Sequence, residues 1–340
     1  MIKIYTNSDV CRWHLNQIPC EITDNPTSGN PAVFHLPFPY TEDFQTQINQ
    51  ALDVCSLVVI LVSELHRDSV DFILNNQQSK IRYFTCGNVQ GVKTFKWMDW
   101  FITTTEFYKH NDILEKLFPY RQKTRIFDIL LGWAKPHRQK IYDYVLANKL
   151  CHHTVMTYLQ DRSLPLQDQL ADSWIWPNIP VPKEHCKNTI TNVNYKNQDI
   201  ALSQIIPIDI YNQSTYSIVA ETNYDNDYSF YTEKIVKPIL ARRLFIVFSG
   251  QYYLRNLQNM GFQTFNGIID ETYDEVEDSD QRFSMALAEM HRLIDMPQWQ
   301  VLEKIEPIVE HNYNLMMSKD WYAEFAREFQ ALVLGHVEQN

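Results

Sequence analysis

The sequence predicts an α/β protein with two domains and a helical C-terminal tail. Leu57–Val62 is an uninterrupted apolar, β-branched run, which is typical of a strand buried on both faces of a parallel sheet. Similar runs alternate along the chain with segments of helical periodicity, as expected of an α/β arrangement. The chain has 340 residues, which is enough for two such domains with buried cores.

The first domain is predicted over residues 1–121. Thr41–Leu52 has apolar residues at every fourth position and is predicted to be a helix. Leu57–Val62 and Ile81–Thr85 are predicted strands, and the aromatic, β-branched run Trp97–Thr103 is predicted to be another. The mixed polar segment Phe118–Arg125, which contains a proline, is predicted to link this domain to the next.

Residues 122–318 are predicted to form a second α/β domain, and residues 319–340 a C-terminal helix. A strand over Ile126–Gly132 is followed by a helix that begins near Pro136 and extends to about Lys149, since proline suits the first helical turn. Residues 160–200 are predicted to be loop with short helices. The other predicted strands are Thr154–Leu159, Ile205–Ile210, Tyr216–Ala220 and Phe245–Phe248. The other predicted helices are Thr232–Leu244, with a kink at Pro238 or a later start near Lys237, then Tyr252–Met260 and Asp280–Leu293.

The composition narrows the ways in which this chain can bind an anion. A net charge of −11 argues against nucleic-acid binding across the whole surface, because phosphate contacts need Lys and Arg. The one basic neighbourhood, Arg121–Arg125 with Lys135–Lys140, suits a small anion better than a duplex. The chain has eight glycines and neither a Gly-x-Gly-x-x-Gly nor a Walker motif. Any bound phosphate is therefore expected at helix N-termini and basic side chains.

The cysteines and the apolar segments bear on the cellular compartment. The six cysteines include no Cys-x-x-Cys pair, so we expect reduced and mostly buried thiols. The first residues are predicted to be a strand rather than a secretion signal, and no window of eighteen apolar residues predicts a membrane span. We therefore expect a cytoplasmic protein.

Two carboxylates and a lysine form the most informative pattern. Glu221 directly follows an apolar strand, where a side chain at the carboxyl end of a parallel sheet faces the ligand crevice. Thr232 is a good N-cap for the next helix, whose first N–H groups attract anions. Glu233 can accept the two hydrogen bonds of a ribose diol, and Lys234 adds a positive charge for a phosphate. The alternative is structural, with Thr232 capping its helix and both carboxylates stabilising helix ends.

These residues carry a resemblance to a known family. The combination Val219–Asn223, Thr232–Ile235 and Phe245–Gly250 resembles the α-1,3-fucosyltransferase family, which has Glu-Asn-Ser/Thr, then Tyr-x-Thr-Glu-Lys, then a strand ending in glycine. Phe127–Arg138 is similar to the first strand and arginine-bearing helix of that family's donor domain. The resemblance covers about residues 125–275. It implies a GT-B fold, with two Rossmann-like domains facing across a cleft, that needs no metal or other cofactor.

The resemblance also implies roles for individual residues. Glu233 would contact the ribose and Lys234 the diphosphate of a nucleotide-sugar donor. Asn223 or Thr222 would take the place of the family's asparagine, and Arg138 that of its phosphate-binding arginine. The sequence Glu-Thr-Asn replaces Glu-Asn-Ser/Thr, and the following loop is about two residues longer. The nucleobase and the sugar therefore stay open.

Other acidic and histidine residues are weaker candidates. The segment Asp270–Asp274 is an acidic cluster, in which Glu271 could lie near the donor sugar with Arg282 as an ion-pair partner of the cluster, or which could be a solvated turn. Glu64, or His66 beside it, is the candidate base for the acceptor proton, since both follow the buried strand at 57–62.

The candidate metal ligands are weak. The triplets Asp225–Asp227 and Asp278–Asp280 match Asp-x-Asp but are predicted loops, and the pair His152-His153 lacks further ligands at metal-binding spacing.

The predicted function is a glycosyltransferase that moves a sugar from a nucleoside-diphosphate sugar to a hydroxyl acceptor. A glycan is the expected acceptor, and a DNA base, as in viral base-modifying enzymes, is the less favoured one. A non-catalytic nucleotide-binding protein of the same fold is the further alternative. Whether the transfer inverts or retains the anomeric centre stays open.

Overall fold

The computed structural model describes residues 2–37, 41–87, 89–159, 192–195, 198–224 and 230–337, which form two compact units. One unit contains residues 1–102 and 320–340, and the other contains residues 103–319. The C-terminal segment thus belongs with the first unit, and the second unit begins before the predicted linker Phe118–Arg125. The triplet Asp225–Asp227 and most of the predicted loop at 160–200 lie outside the described residues.

The strands build two parallel sheets and one hairpin. The first unit contains β1 (Ile2–Tyr5), β2 (Cys20–Thr23), β3 (Pro31–His35), β4 (Leu57–Val62), β5 (Ile81–Thr85) and β6 (Thr94–Lys96), in the spatial order β2-β1-β3-β4-β5-β6. The second contains β7 (Arg125–Trp133), β8 (Thr154–Leu159), β9 (Asn192–Tyr195), β10 (Gln198–Ala201), β11 (Ser214–Ala220) and β12 (Phe245–Phe248). Its parallel sheet has the order β12-β11-β7-β8, and β9 and β10 form an antiparallel pair.

The helices lie between these strands and fill the C-terminal region. They are α1 (Asp9–Leu15), α2 (Glu42–Val54), α3 (Arg67–Asn75), α4 (Asp99–Lys109), α5 (Pro136–Ala147), α6 (Ile208–Gln213), α7 (Glu233–Leu240), α8 (Tyr253–Asn259), α9 (Ser279–Asp295), α10 (Gln298–Ser318) and α11 (Trp321–Val337). Alternation of parallel strands and helices confirms the predicted α/β class, and the last helices confirm the helical C-terminal region.

The core of the first unit is an apolar sheet covered partly by the end of the chain. All six residues of β4 are buried, as the apolar run predicted. On α11, Phe325 and Phe329 place their rings 5.4 and 5.8 Å from that of Phe84 on β5. The residues of α11 are therefore an integral part of this core rather than a separate tail.

Two predicted strands are wrong. The run Trp97–Thr103 is mostly α4, which begins at Asp99, because burial of Phe101, Ile102 and Thr105 along a helix overrides the β propensity of the aromatic and β-branched residues. The run Ile205–Ile210 ends in α6, which begins directly after Pro207. Proline fixes a backbone angle compatible with a helix start and removes an N–H that a central strand would need.

The order of strands in the second sheet contains a topological switch point. From the central strand β7 the chain passes through α5 to β8 on one side, whereas from β11 it passes through α7 to β12 on the other. The two connections leave the sheet in opposite directions between β7 and β11. In open α/β sheets, ligands bind at such a switch point, outside the carboxyl ends of the strands.

Candidate functional site

The residues that follow β7 and β11 meet at this switch point. The carboxyl end of β7 leads through Lys135 into α5, and the end of β11 leads through Glu221 to Thr222 and Asn223. The sequence predicted that Arg138 and the segment around Glu221 would belong to one site. In the structure Arg138 contacts the carbonyl oxygen of Ala220, so both lie at the same edge of the sheet.

Glu221 is the buried centre of the site, with a side chain that is 0% exposed. Its carboxylate accepts hydrogen bonds from the Thr232 hydroxyl at 2.7 Å and from the Tyr253 hydroxyl at 2.9 Å. The backbone N–H groups of Thr232 and Thr222 donate to it at 3.3 Å each. The sequence left two roles open for this carboxylate, facing a ligand or stabilising a helix end, and in the structure it accepts from protein donors. Glu221 thus joins the end of β11 to the first turns of α7 and α8.

Burial and the neighbouring positive charge shift the pKa of Glu221 in opposite directions. Its pKa is raised mainly because burial disfavours the charged carboxylate, while the positive charge of Lys234 acts to lower it. Four donors around one carboxylate stabilise its charged form. The group is therefore suited to hold the surrounding loop and helix ends in place.

The first turn of α7 contains Glu233, which is 5% exposed, and Lys234. Thr232 is the N-cap, and its hydroxyl accepts from the backbone N–H of Lys234 at 3.2 Å. The Lys234 Nζ lies 2.8 Å from Glu233 Oε1. Burial raises the pKa of Glu233, but Lys234 and Lys237 outweigh burial and bring that pKa below its ordinary value. Glu233 is therefore a charged acceptor at neutral pH.

Lys237 is a buried cation of the site that the sequence analysis missed. It lies one helical turn after Glu233, is 8% exposed and donates to the carbonyl oxygen of Ser203 at 2.7 Å. Burial lowers its pKa to about 8, against the attraction of Glu233. The spacing of four residues between a glutamate and a lysine on one helix was the signal that could have identified it.

Cations from α5 reach the same place. Lys135 Nζ donates to the carbonyl oxygen of Thr222 at 2.8 Å, and Lys234 Nζ lies 3.3 Å from the hydroxyl of that residue. Arg138 is 4% exposed and its Nη2 lies 3.4 Å from the carbonyl oxygen of Ala220. Three positive side chains from two helix starts thus converge on residues 220–222. Lys135 belongs to the basic neighbourhood that the sequence assigned to a small anion, although it was not named as a ligand of the site.

The guanidinium of Arg138 also packs against the end of β7. A Cβ atom added to Gly132 would lie 3.2 Å from Arg138 Nη1, so the glycine leaves room for this side chain. At that distance the neighbouring group would have to shift by a few tenths of an ångström. Gly132 therefore fixes how closely Arg138 approaches the strand.

An aromatic pair borders the site beside Asn223. His137 Nε2 contacts the carbonyl oxygen of Glu221 at 2.9 Å, and its ring stacks on Tyr224 with centroids 4.5 Å apart. The carbonyl oxygen of Asn223 accepts from the Ser249 hydroxyl at 3.1 Å. These contacts anchor the residues that follow β11 to α5 on one side and to the end of β12 on the other.

Glu271 belongs to a different set of contacts. Its carboxylate accepts from the Thr264 hydroxyl at 2.6 Å and from the Phe265 backbone N–H at 2.7 Å, which holds the turn before it. Burial raises its pKa to about 7. Arg282, expected to pair with this acidic cluster, donates to backbone carbonyl oxygens, among them Ser249 at 3.0 Å and Tyr224 at 2.6 Å.

The candidate bases lie in the first unit, after β4 as predicted. Glu64 Oε2 and His66 Nε2 are 2.7 Å apart, and both side chains are partly exposed. A carboxylate that accepts from one ring nitrogen orients the imidazole and fixes its tautomer. The pair can therefore act as a single proton acceptor, in which either residue receives the proton.

The residues considered as metal ligands make contacts with other protein groups. Asp278 is the N-cap of α9 and accepts from the Gln281 backbone N–H at 2.7 Å. The rings of His152 and His153 lie against each other with centroids 3.8 Å apart. Within the described residues, no three His, Cys, Asp or Glu side chains come together in a way that could hold a metal ion.

The helices of the described ranges include none with the length and apolar character that crossing a membrane requires. In comparisons with known proteins, no family model matches the chain and no curated protein matches it either.

Proposed function

We propose that the second unit binds a nucleoside-diphosphate sugar and that the protein is a metal-independent glycosyltransferase of GT-B type. One observation carries this proposal: Lys135, Arg138 and Lys234 converge on residues 220–222 at the switch point of a parallel sheet. A diphosphate carries negative charge on several oxygens, and clustered lysine and arginine side chains at helix starts are the groups that bind it.

The first turn of α7 suits the rest of a nucleotide. Glu233 is charged, and a carboxylate can accept both hydrogen bonds of a ribose diol. The buried Glu221 keeps the Thr232 cap in place, so the start of the helix is preorganised for its ligand. Preorganised groups stabilise developing charge without the cost of reorienting during the reaction.

In the proposed reaction the bond between the sugar and the diphosphate breaks, and the leaving diphosphate gains negative charge. Lys234 and Arg138 stabilise that charge at the leaving oxygen and its neighbours. A base must receive the proton of the acceptor hydroxyl, and Glu64, with His66 beside it, is the candidate for that role. The proposed acceptor is a glycan. A transfer assay that offers either a glycan or a DNA base as acceptor distinguishes the two.

Lys234→Ala tests the proposed role of this cation. Loss of one charge-assisted contact costs about 1.5–3 kcal/mol, which corresponds to about a tenfold to a hundredfold loss of turnover. Donor hydrolysis and transfer would be measured with GDP-, UDP-, CMP- and dTDP-sugars, after a thermal-shift screen has identified the donor that binds. Lys304→Ala, at an exposed position on α10, is the matched control and should leave turnover unchanged.

The outcomes separate the alternatives. The proposed enzyme is supported if the wild-type protein binds and turns over a donor and if Lys234→Ala weakens that binding. Donor binding without hydrolysis or transfer would assign the protein as a nucleotide-binding protein of the same fold. If the wild-type protein binds none of these nucleotide sugars, the proposal fails.

A further inference from the structure

Two buried polar atoms at the switch point have no hydrogen-bond partner among the described residues. They are the Nδ1 atom of His137, whose side chain is 1% exposed, and the Nδ2 atom of Asn223, whose residue is 7% exposed. A buried polar atom without a partner is costly, so native proteins leave few of them. His137 contacts Glu221 and Tyr224, the residues two before and one after Asn223, so both atoms belong to residues of the proposed ligand site and call for a common explanation.

The chemical character of His137 Nδ1 follows from its other nitrogen. Nε2 lies 2.9 Å from the carbonyl oxygen of Glu221, which can only accept, so Nε2 carries the hydrogen. Burial, and then the positive charge of Arg138, hold the pKa of His137 well below its ordinary value, so the ring is neutral. In this tautomer Nδ1 has a lone pair and is a hydrogen-bond acceptor.

Asn223 supplies the complementary atom. Its Nδ2 group is a donor, and its backbone is held by the Ser249 hydroxyl. His137 is fixed against the same short segment, through the Glu221 carbonyl on one side and the stacked ring of Tyr224 on the other. An unsatisfied donor and an unsatisfied acceptor thus belong to residues that meet in the segment 221–224.

We propose that His137 Nδ1 and Asn223 Nδ2 together bind a ligand edge that carries a hydrogen-bond donor beside an acceptor. This inference rests on the proposed function and names a specificity element of the same site. A nucleobase edge has this chemistry, and so do two neighbouring hydroxyl groups of a sugar. In either case the ligand donates to His137 and accepts from Asn223, while the cations near Thr222 hold the diphosphate.

The test uses the whole chain with His137→Gln and Asn223→Leu. Glutamine keeps a donor for the Glu221 carbonyl but places no acceptor where Nδ1 was. Leucine fills a similar volume without any polar group. Asn259→Leu and His110→Gln, at exposed positions, are the matched controls. Affinities for GDP, UDP, CDP, dTDP, ADP and inorganic pyrophosphate would be measured by calorimetry.

Each substitution should weaken binding of the nucleotide, or of the nucleotide sugar if the pair contacts the sugar, about tenfold, which corresponds to about 1.4 kcal/mol. Pyrophosphate binding should stay within about twofold of wild type, since the cations are untouched. Asn223→Leu should leave the unfolding midpoint of the free protein unchanged or raise it, because it removes a buried donor that has no partner.

The choice of ligand distinguishes the two sources of this chemistry. A penalty that persists with 2′,3′-dideoxynucleotides assigns the pair to the nucleobase. A penalty that appears only with intact nucleotide sugars assigns it to the sugar hydroxyls.

Two results would overturn the inference alone. One is wild-type affinity of both variants for every nucleotide and nucleotide sugar that the wild-type protein binds. The other is a drop in the unfolding midpoint with Asn223→Leu that exceeds the drop with Asn259→Leu, since Nδ2 would then have a partner in the free protein. Absence of any nucleotide binding by the wild-type protein would overturn the proposed function together with this inference.

Discussion

The hydroxyl of Tyr253 donates a 2.9 Å hydrogen bond to the carboxylate of Glu221, although the two residues are 32 positions apart. Tyr253 begins α8 and Glu221 follows β11, so the bond ties the start of one helix to the end of a strand. Both side chains are buried. The geometry of the candidate site therefore depends on a helix that supplies none of its proposed ligands.

Tyr253→Phe removes this hydroxyl and keeps the ring. We expect the free energy of unfolding to fall by about 1.5–3 kcal/mol, the range for a hydrogen bond to a charged group. Chemical denaturation measures the change. Tyr252→Phe, at the preceding and more exposed position, is the control and should have little effect. Equal stability of Tyr253→Phe and wild type would mean that Glu221 is held by its other donors alone.

Asp128 and Arg243 form a second buried element, near the amino ends of β11 and β12. Arg243 Nη2 lies 2.6 Å from Asp128 Oδ2, and the side chains are 3% and 2% exposed. Arg243→Met leaves a buried carboxylate without its cation, which should cost about 3–5 kcal/mol of unfolding free energy. Arg255→Met, at an exposed position, is the control.

The double variant Asp128→Leu with Arg243→Met sharpens this test. Because it removes both charges, it should destabilise less than the sum of the single variants. If urea unfolding shows that the double variant loses as much unfolding free energy as the two single variants together, the two charges do not interact.

Glu271 should make stability depend on pH. Burial raises its pKa to about 7 in the folded protein, whereas its ordinary value is 4.5. Between these values the folded state holds a proton that the unfolded chain has lost, so the stabilisation from this group is complete below 4.5 and is lost as pH rises through about 7. Glu271→Gln cannot titrate and should flatten this decline.

The measurement is the free energy of unfolding at about pH 5 and pH 8 for wild type and Glu271→Gln. Glu275→Gln, at an exposed position of the same short segment, should keep the wild-type slope. A slope that Glu271→Gln leaves unchanged would assign the pH dependence to other groups.

Gly132→Ala should weaken diphosphate binding without unfolding the protein. The new Cβ would lie 3.2 Å from Arg138 Nη1, so the guanidinium has to move by a few tenths of an ångström. A displaced charge contact should cost a few-fold in affinity, roughly 0.5–1 kcal/mol. In an Arg138→Lys background the same substitution should have no further effect, because lysine lacks the Nη1 atom. Equal penalties in both backgrounds, measured by pyrophosphate titration, would contradict this explanation.

The buried strands were predictable because the sequence records burial directly. Leu57–Val62 and Ile81–Thr85 are strands with the predicted bounds. Leu57–Val62 is apolar at every position, as a strand covered on both faces requires. Trp97–Thr103 has similar residues, but there a helix buries them along one side. Residue type alone does not separate these two cases.

The candidate site was predictable only in its local part. Thr232 caps α7 as expected, because capping depends on residues within one turn. The burial of Glu221 was not predictable, since donors that occupy its carboxylate come from residues 11 and 32 positions away. The same holds for Lys135, whose partner Thr222 is 87 positions distant.

The membership of α11 in the first unit has a consequence for biosynthesis. The aromatic rings of Phe325 and Phe329, which complete the packing around Phe84, leave the ribosome only after every residue of the second unit. The amino-terminal sheet is thus synthesised before the second unit but acquires its full hydrophobic interior only after that unit has been made. A fragment ending before Trp321 would expose that apolar surface, so dissection of the two units requires joining both chain segments of the first.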